Sequence, residues 1–263
     1  KIKYKGKIIF IPEFIKAELN TMYNFNDVDL IKTMDYGIPQ MRKRNIFLLV
    51  RKDMNFLWNF PKPTKKIINL RQALKNIPSL DPLLREGYNE TLKMFPDYEK
   101  KKKAGLKISK FHYPPTHSKR HVEWMTKTPS GKTAFDNKYN FPRKKNGKRI
   151  SGHYNHYRRH SWDKPSRSLT QNNGVISSLA CVHPGHCLVA GNERKRIYSD
   201  PRCFSIYELL IVSSLPLNWN IPTWSKEHEI RKIIGEGIPA LLVKNIFKKL
   251  LLNLQINTHK LAS

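Results

Sequence analysis

The sequence predicts an α/β fold in which a loop-rich α+β segment is set between two pieces of a larger layered domain. Three observations carry that prediction. Ile46-Phe47-Leu48-Leu49-Val50 is an unbroken apolar run, short enough for a strand and suited to one covered on both faces. From Pro239 onward, Leu242, Ile246 and Leu250 recur at helical spacing, with Leu241, Val243 and Phe247 widening the stripe. A closing helix so apolar must pack on something large. Between these two signals, residues 99–160 differ in kind. Eighteen Lys or Arg stand there against three acids, a surplus of fifteen, with Phe111, Tyr113, Trp124, Phe135, Tyr139 and Phe141 interleaved.

Taken in order, Pro12 to Met22 reads as a short helix, with proline at its start and Ile15, Leu19 and Met22 on one face. Asp27 to Met34 reads as a strand. Gly37 and Pro39 then exclude a helix and give a turn running into extended chain. In extended chain Gln40, Arg42 and Arg44 share one face, an array that can donate to a carbonyl, carboxylate or phosphate. Phe60-Pro61-Lys62-Pro63 breaks the pattern and marks a boundary. Residues 99–160 are expected to form short strands and loops rather than long helices, with Lys100 to Lys103 a solvated, flexible run. Ser205 and Glu208 make a Ser-x-x-Glu capping box for a helix to about Leu215, which gives Glu208 a structural role. Gly235-Glu236-Gly237 reads as a glycine turn before the last helix.

A formal charge of +29 and a pI near 10.1 predict a polyanionic partner. Basic residues interleaved with rings suit a nucleic-acid surface, the charges tracking phosphates and the rings stacking or anchoring loops. Lys144, Lys145, Lys148 and Arg149 are the candidates for phosphate contact. A hydrophobic content of 39% is too high for a disordered basic tail. Three cysteines argue for a reducing compartment, and neither a spanning segment nor a signal peptide is recognisable, so a cytoplasmic protein with no membrane partner is expected. His117-x-x-x-His121 and Cys181-x-His183-x-x-His186-Cys187 carry ligand types without a supporting Cys-x-x-Cys pair, and no metal is expected.

Three blocks carry a family resemblance. Tyr36-Gly37-Ile38-Pro39-Gln40-x-Arg42-x-Arg44 resembles the eighth motif of the DNA (cytosine-5)-methyltransferases. Pro201-Arg202-Cys203-Phe204-Ser205-Ile206-Tyr207-Glu208-Leu209-Leu210 resembles the ninth, and Ile234-Gly235-Glu236-Gly237-Ile238-Pro239 the tenth, in the family's order. The resemblance implies that Arg44 holds the carbonyl of a cytosine flipped out of the duplex, with Arg42 orienting acidic or phosphate partners and Gln40 beside them. A fixed-charge donor suits a pyrimidine that gains negative charge during attack. Pro165-Ser166-Arg167-Ser168-Leu169-Thr170 resembles the hydroxyl-Leu pair of the family's target-recognition domain, with Ser168 where Thr is usual. The resemblance places Arg167, Ser168, Leu169 and Thr170 against DNA. It also places Gly235, Glu236 and Gly237 beside S-adenosylmethionine, Glu236 standing where the family usually has Asn.

Two family signatures are not in these residues. Cys181, Cys187 and Cys203 follow Ala180, His186 and Arg202 rather than proline, and no Phe-x-Gly-x-Gly or Gly-x-Gly-x-x-Gly loop follows an N-terminal strand. The chain also opens on Lys1. It is therefore expected to be the C-terminal part of a Rossmann-like methyltransferase domain plus a small target-recognition domain, inactive without the half that carries nucleophile and cofactor loop. Residues 1–61 would supply the last strands of the catalytic domain, 62–222 the recognition domain, and 223–263 the closing turn and helix. The implied function is recognition of double-stranded DNA for cytosine C5 methylation in restriction-modification, with the N-terminal catalytic half as partner. A catalytically dead DNA-binding remnant and an RNA-directed enzyme of the same family are the alternatives.

Overall fold

A two-stranded antiparallel ribbon leads into the segment that carries the first candidate site. In the computed structural model, which describes residues 1–54, 56–64 and 66–261, β1 (Ile2–Tyr4) and β2 (Lys7–Ile9) form a small hairpin before α1 (Ile11–Leu19). Long β3 (Tyr23–Lys32) then pairs antiparallel with β5 (Lys43–Arg51). Between them Thr33–Tyr36 make one 3-10 turn that ends on Gly37, whose φ of 75° is a left-handed conformation glycine reaches without strain. Short β4 (Gln40–Met41) follows.

The β3–β5 ribbon buries one face better than the other. Leu48 and Val50 are buried while Phe47 and Leu49 are only half-buried, so the strand expected to be covered on both faces is covered on one. The reason is architectural: only β3 pairs with β5 among the described residues, and the cover comes from α8 (Ala240–Leu261). Leu242 and Ile246 of this helix meet Ile31, Tyr36, Ile38 and Leu48 in one apolar cluster. Trp58 packs against the cluster and donates from its indole to Ile246 O at 3.1 Å.

The rest of the chain is built from short elements: α2 (Leu70–Ala73), β6 (Leu83–Leu84), α3 (Tyr88–Met94), α4 (Tyr98–Ile108), β7 (Thr116–His117), α5 (Lys119–Thr126), β8 (Ser166–Arg167), β9 (Cys187–Val189), β10 (Ile197–Tyr198), α6 (Ile206–Val212) and α7 (Glu227–Glu236). One apolar cluster joins α2, Trp162, Leu169, Phe204, α6 and Ile230 and Ile234 of α7. Another gathers Leu84, α5, Tyr157, Ile176, Val182 and Cys203. Two expectations for the basic segment need correction. It contains the helices α4 and α5, and Lys100 to Lys103 lie within α4, where Lys101 reaches the nearly buried Asp81 carboxylate at 2.8 Å. The apolar signal is sparse there because α4 is anchored by Tyr98 and by Gly105, whose missing side chain lets His112 O approach. From residue 127 to 165 the chain is mostly irregular, as expected.

A buried ionic network binds the two apolar clusters together. Arg202 is wholly enclosed, donating to Glu208 Oε2 (2.7 Å), Glu208 Oε1 (2.9 Å), Asp200 Oδ1 (2.8 Å) and Leu80 O (3.0 Å). Arg159, equally enclosed, donates to the carbonyls of Met125, His183 and Asp200. Glu208 also completes the capping box, accepting from Ser205 N at 2.8 Å while Ser205 Oγ accepts from Glu208 N. Buried charges persist only when paired and hydrogen-bonded in this way.

Candidate nucleic-acid interface

Three segments far apart in sequence meet at Arg42. β4 pairs in parallel with β8, Gln40 opposite Ser166 and Met41 opposite Arg167. Ser168 Oγ then donates to Met41 O at 2.9 Å. The Thr33 hydroxyl fixes the preceding turn by donating to Gln40 O (2.6 Å) and accepting from Arg42 N (3.1 Å). From this strand Arg42 sends Nη1 to Leu169 O at 3.0 Å and Nη2 to Glu236 O at 2.9 Å. One planar guanidinium thus ties the β4 strand, the loop after β8 and the end of α7. Burial, and then the neighbouring charge of Arg44, push its pKa down to about 10, so it stays charged at neutral pH.

The glycine segment is the last turn of α7 rather than a free turn. Gly235 lies inside the helix, and a Cβ built on it would stand 2.2 Å from Thr170 O and 2.9 Å from Gln171 N. Only glycine permits this approach of helix to loop. Glu236 accepts from Gln171 Nε2 at 2.5 Å and is otherwise exposed, as is Gly237. An exposed carboxylate and glycine suit a contact with a cofactor's ammonium. Gly235, packed on the loop, has no surface left for one.

The remaining candidates divide by exposure. Arg44 is half-buried, its Nη1 donating to Lys43 O at 2.8 Å, and burial lowers its pKa. Gln40 is buried with its Oε1 unpartnered among the described residues. Leu169 contributes its side chain to the core and its carbonyl to Arg42, while Thr170 Oγ1 is buried without a partner among the described residues. Arg167 donates from Nη1 to Asn155 Oδ1 at 2.9 Å. Met41, Asn155, Arg167, Ser168, Thr170, Leu179 and Ala180 together line a cleft of about 330 Å³. Asn155 carries no signal in the sequence; only its place opposite Arg167 reveals it.

Lys144, Lys145, Lys148 and Arg149 lie on an exposed hairpin away from those contacts, closed by Lys144 N donating to Lys148 O at 2.8 Å. Its base is held by Phe141, over whose ring sit the guanidiniums of Arg149 (4.0 Å) and Arg143 (4.3 Å). Arg149 also donates to Asn137 O, so it shapes the hairpin while the three lysines project to solvent. His117 and His183 are buried, whereas His186 is exposed. His117 Nε2 accepts from Cys203 N, His186 stacks on Trp162 at 4.5 Å, and burial outweighs Asp200 and Glu208 to hold His183 at about 4. No group of three or more His, Cys, Asp or Glu among the described residues could hold a metal ion.

The chain is thus a mixed α/β protein in which one arginine ties the segment after β4 to the loop after β8 and the end of α7. The chain belongs to the C-5 cytosine-specific DNA methylase family, whose sequence profile matches residues 10–252. It is 38% identical over 245 residues to the Type II methyltransferase M1.HgaI of Avibacterium volantium, an alignment covering 93% of this chain and 60% of that protein. With the Type II methyltransferase M.MthTI of Methanothermobacter thermautotrophicus it shares 34% identity over 80 residues, 29% of this chain and 24% of that one. The fold matches a crystal structure of a DNA modification methyltransferase encoded within an E. coli prophage, with a TM-score of 0.58 at 19% identity, covering 97% of this chain and 66% of that chain. This chain thus spans about 60% of the length of M1.HgaI. None of the helices in the described residues is long and apolar enough to cross a membrane.

Proposed function

We propose that this chain supplies the DNA-recognition and base-holding part of a cytosine-5 methyltransferase acting on double-stranded DNA within a restriction-modification system. The single observation that carries the reading is the convergence at Arg42 of the eighth-motif segment, the Ser168–Leu169 loop and the Glu236 end of the tenth-motif segment, joined by hydrogen bonds. Similarity to a Type II methyltransferase over 93% of the chain supports the restriction-modification context.

In this reading Arg42 is the brace and Arg44 the ligand-facing donor. Arg42 gives Nη1 and Nη2 to two carbonyls and keeps a buried Nε without a partner among the described residues, whereas Arg44 is half-buried and spends Nη1 on a neighbouring carbonyl. Its remaining N–H groups would take the O2 carbonyl of a flipped cytosine and strengthen as negative charge builds on the ring. The lysines of the 144–148 hairpin would track phosphates. S-adenosylmethionine supplies the methyl group in this chemistry. From this chain the exposed Glu236 and Gly237 would help hold it, the Glu236 carboxylate being able to accept from its ammonium. The Pro-Cys nucleophile and the glycine loop lie outside these 263 residues; a catalytic half, on the same or a separate polypeptide, would bring them.

The test is Arg44→Ala in enzyme assembled with the catalytic half. Methyl transfer from labelled S-adenosylmethionine should fall on the order of a hundredfold or more, as when one transition-state donor is removed, with duplex affinity changed little. Arg44→Lys should restore only part, lacking the planar fork. Unchanged turnover would defeat the assignment. A preference for RNA stem-loops over duplex DNA would favour an RNA-directed enzyme instead.

A further inference from the structure

A second basic cleft, of about 460 Å³, shares Met41 and Arg167 with the one beside the recognition loop. Lys132, Arg158, His160 and Lys164 also line it, and no acidic side chain does. No motif of the sequence pointed to these four residues. Two of them hold buried donors that nothing answers. Arg158 donates from Nη2 to Gly131 O at 2.8 Å and lies over the Tyr154 ring at 4.7 Å, yet its Nε and Nη1 are buried and unpartnered among the described residues. His160 is 1% exposed and stacked on Phe204 at 4.8 Å. Its Nδ1 accepts the backbone N–H of Arg167 at 3.3 Å, which places the ring proton on Nε2. That N–H too has no partner among the described residues.

Buried donors without acceptors are rare in folded proteins and call for an explanation. Here Arg158 and His160, the residues that carry these N–H groups, line one cleft together with the exposed Lys132 and Lys164. The complementary ligand accepts from several directions, donates nothing and carries negative charge. A phosphate group has that chemistry. We propose that this cleft seats one phosphodiester of the DNA backbone, beside the cleft that contains Ser168 and Thr170. The inference rests on the DNA-binding function proposed above. It adds an anchoring point distinct from the 144–149 hairpin. Its effect would be to fix the register of the duplex against the recognition loop, because a phosphate contact positions without reading sequence.

The experiment measures duplex binding by the full chain across a salt series. Three proteins are compared with wild type: Lys132→Ala/Lys164→Ala, Arg158→Met, and Lys3→Ala as a control in the β1–β2 hairpin. Both lysines of the double variant are exposed, so its fold is expected to survive. Losing one phosphate contact should flatten the log-affinity against log-salt slope by about 0.9, or about eightfold weaker binding near 0.1 M salt. The loss should be equal on any duplex sequence and absent in Lys3→Ala. Inorganic phosphate is titrated in parallel by calorimetry. An unchanged duplex slope in both cleft variants overturns the proposal, including when phosphate binding is lost in them, since the cleft would then serve a free anion. Wild-type chain that binds no duplex DNA would overturn the DNA-binding function itself, whereas wild-type binding with unaltered cleft variants overturns only this site.

Discussion

Arg42→Met tests whether the convergence of motifs is held by one side chain. Methionine keeps the unbranched stem and removes the guanidinium, so the change isolates two charge-assisted hydrogen bonds, to Leu169 O at 3.0 Å and Glu236 O at 2.9 Å. Hydrogen bonds to charged groups contribute about 1.5–3 kcal/mol each, giving a gross loss of roughly 3–6 kcal/mol. Against this stands the burial of the charge itself. Arg42 is 3% exposed, and burial, then the charge of Arg44, lower its pKa to about 10, a cost that methionine relieves. The two carbonyls left without a donor tip the balance, so a net destabilisation of about 1–3 kcal/mol is expected. With a urea m-value of about 2–3 kcal/mol/M, the unfolding midpoint should fall by roughly 0.3–1.5 M. Amide exchange should accelerate at residues 169–171 and 235–237 and remain unchanged across β3. Arg42→Lys should recover less than half, because an ammonium cannot span both carbonyls as a planar fork does. A midpoint within about 0.2 M of wild type, with unaltered exchange in both segments, would refute the bracing role and leave the guanidinium free for a ligand.

Gly235→Ala forces a methyl against Thr170 O and Gln171 N, both backbone, so helix and loop must part; DNA affinity should drop with only a modest loss of stability, and a variant that binds like wild type would show that the close approach is dispensable. Arg202→Met strips the partner from Asp200 and Glu208 in the interior. Breaking a buried pair in this way costs about 3–5 kcal/mol, read as a large fall in thermal midpoint or as insoluble protein; an unchanged midpoint would contradict the network. Acid should destabilise the fold in two stages. Burial holds His160 at about 3 and His183 at about 4, both below their ordinary 6.5, so the unfolded chain takes up their protons first. Stability is full above pH 6.5 and falls toward pH 4 by up to roughly 2.7 kcal/mol per pH unit for the two together. Burial alone would raise Glu208, but Arg202 and His183 hold it at about 2, so its contribution is lost as pH falls from 4.5 toward 2. Urea midpoints that stay flat between pH 7 and 5 would rule out the histidine contribution.

Local signals were the legible ones. The turn at Gly37, the strand through Leu48, the Ser205–Glu208 capping box and the closing helix all follow from φ restriction, apolar periodicity and capping chemistry within a few residues. The order of the three motifs and the charge surplus also stand in the chain itself, and with them the family and the expectation of a polyanionic partner. Partnership across the chain was not legible. Arg42 and Glu236 are 194 residues apart, and nothing near either one says that a guanidinium will meet that carbonyl. The helical state of Lys100 to Lys103 was likewise settled by Tyr98, Gly105 and the Asp81–Lys101 pair rather than by the basic run. Arg158 and His160 read as two more members of a basic segment until the fold leaves N–H groups of both without partners among the described residues, beside Lys164 in one cleft. Sequence alone determined which groups this protein carries and which backbone shapes its turns and helices permit. Only tertiary structure decided which donors are spent on carbonyls and which stay free, because hydrogen bonding saturates and burial fixes whether water can supply what the protein does not.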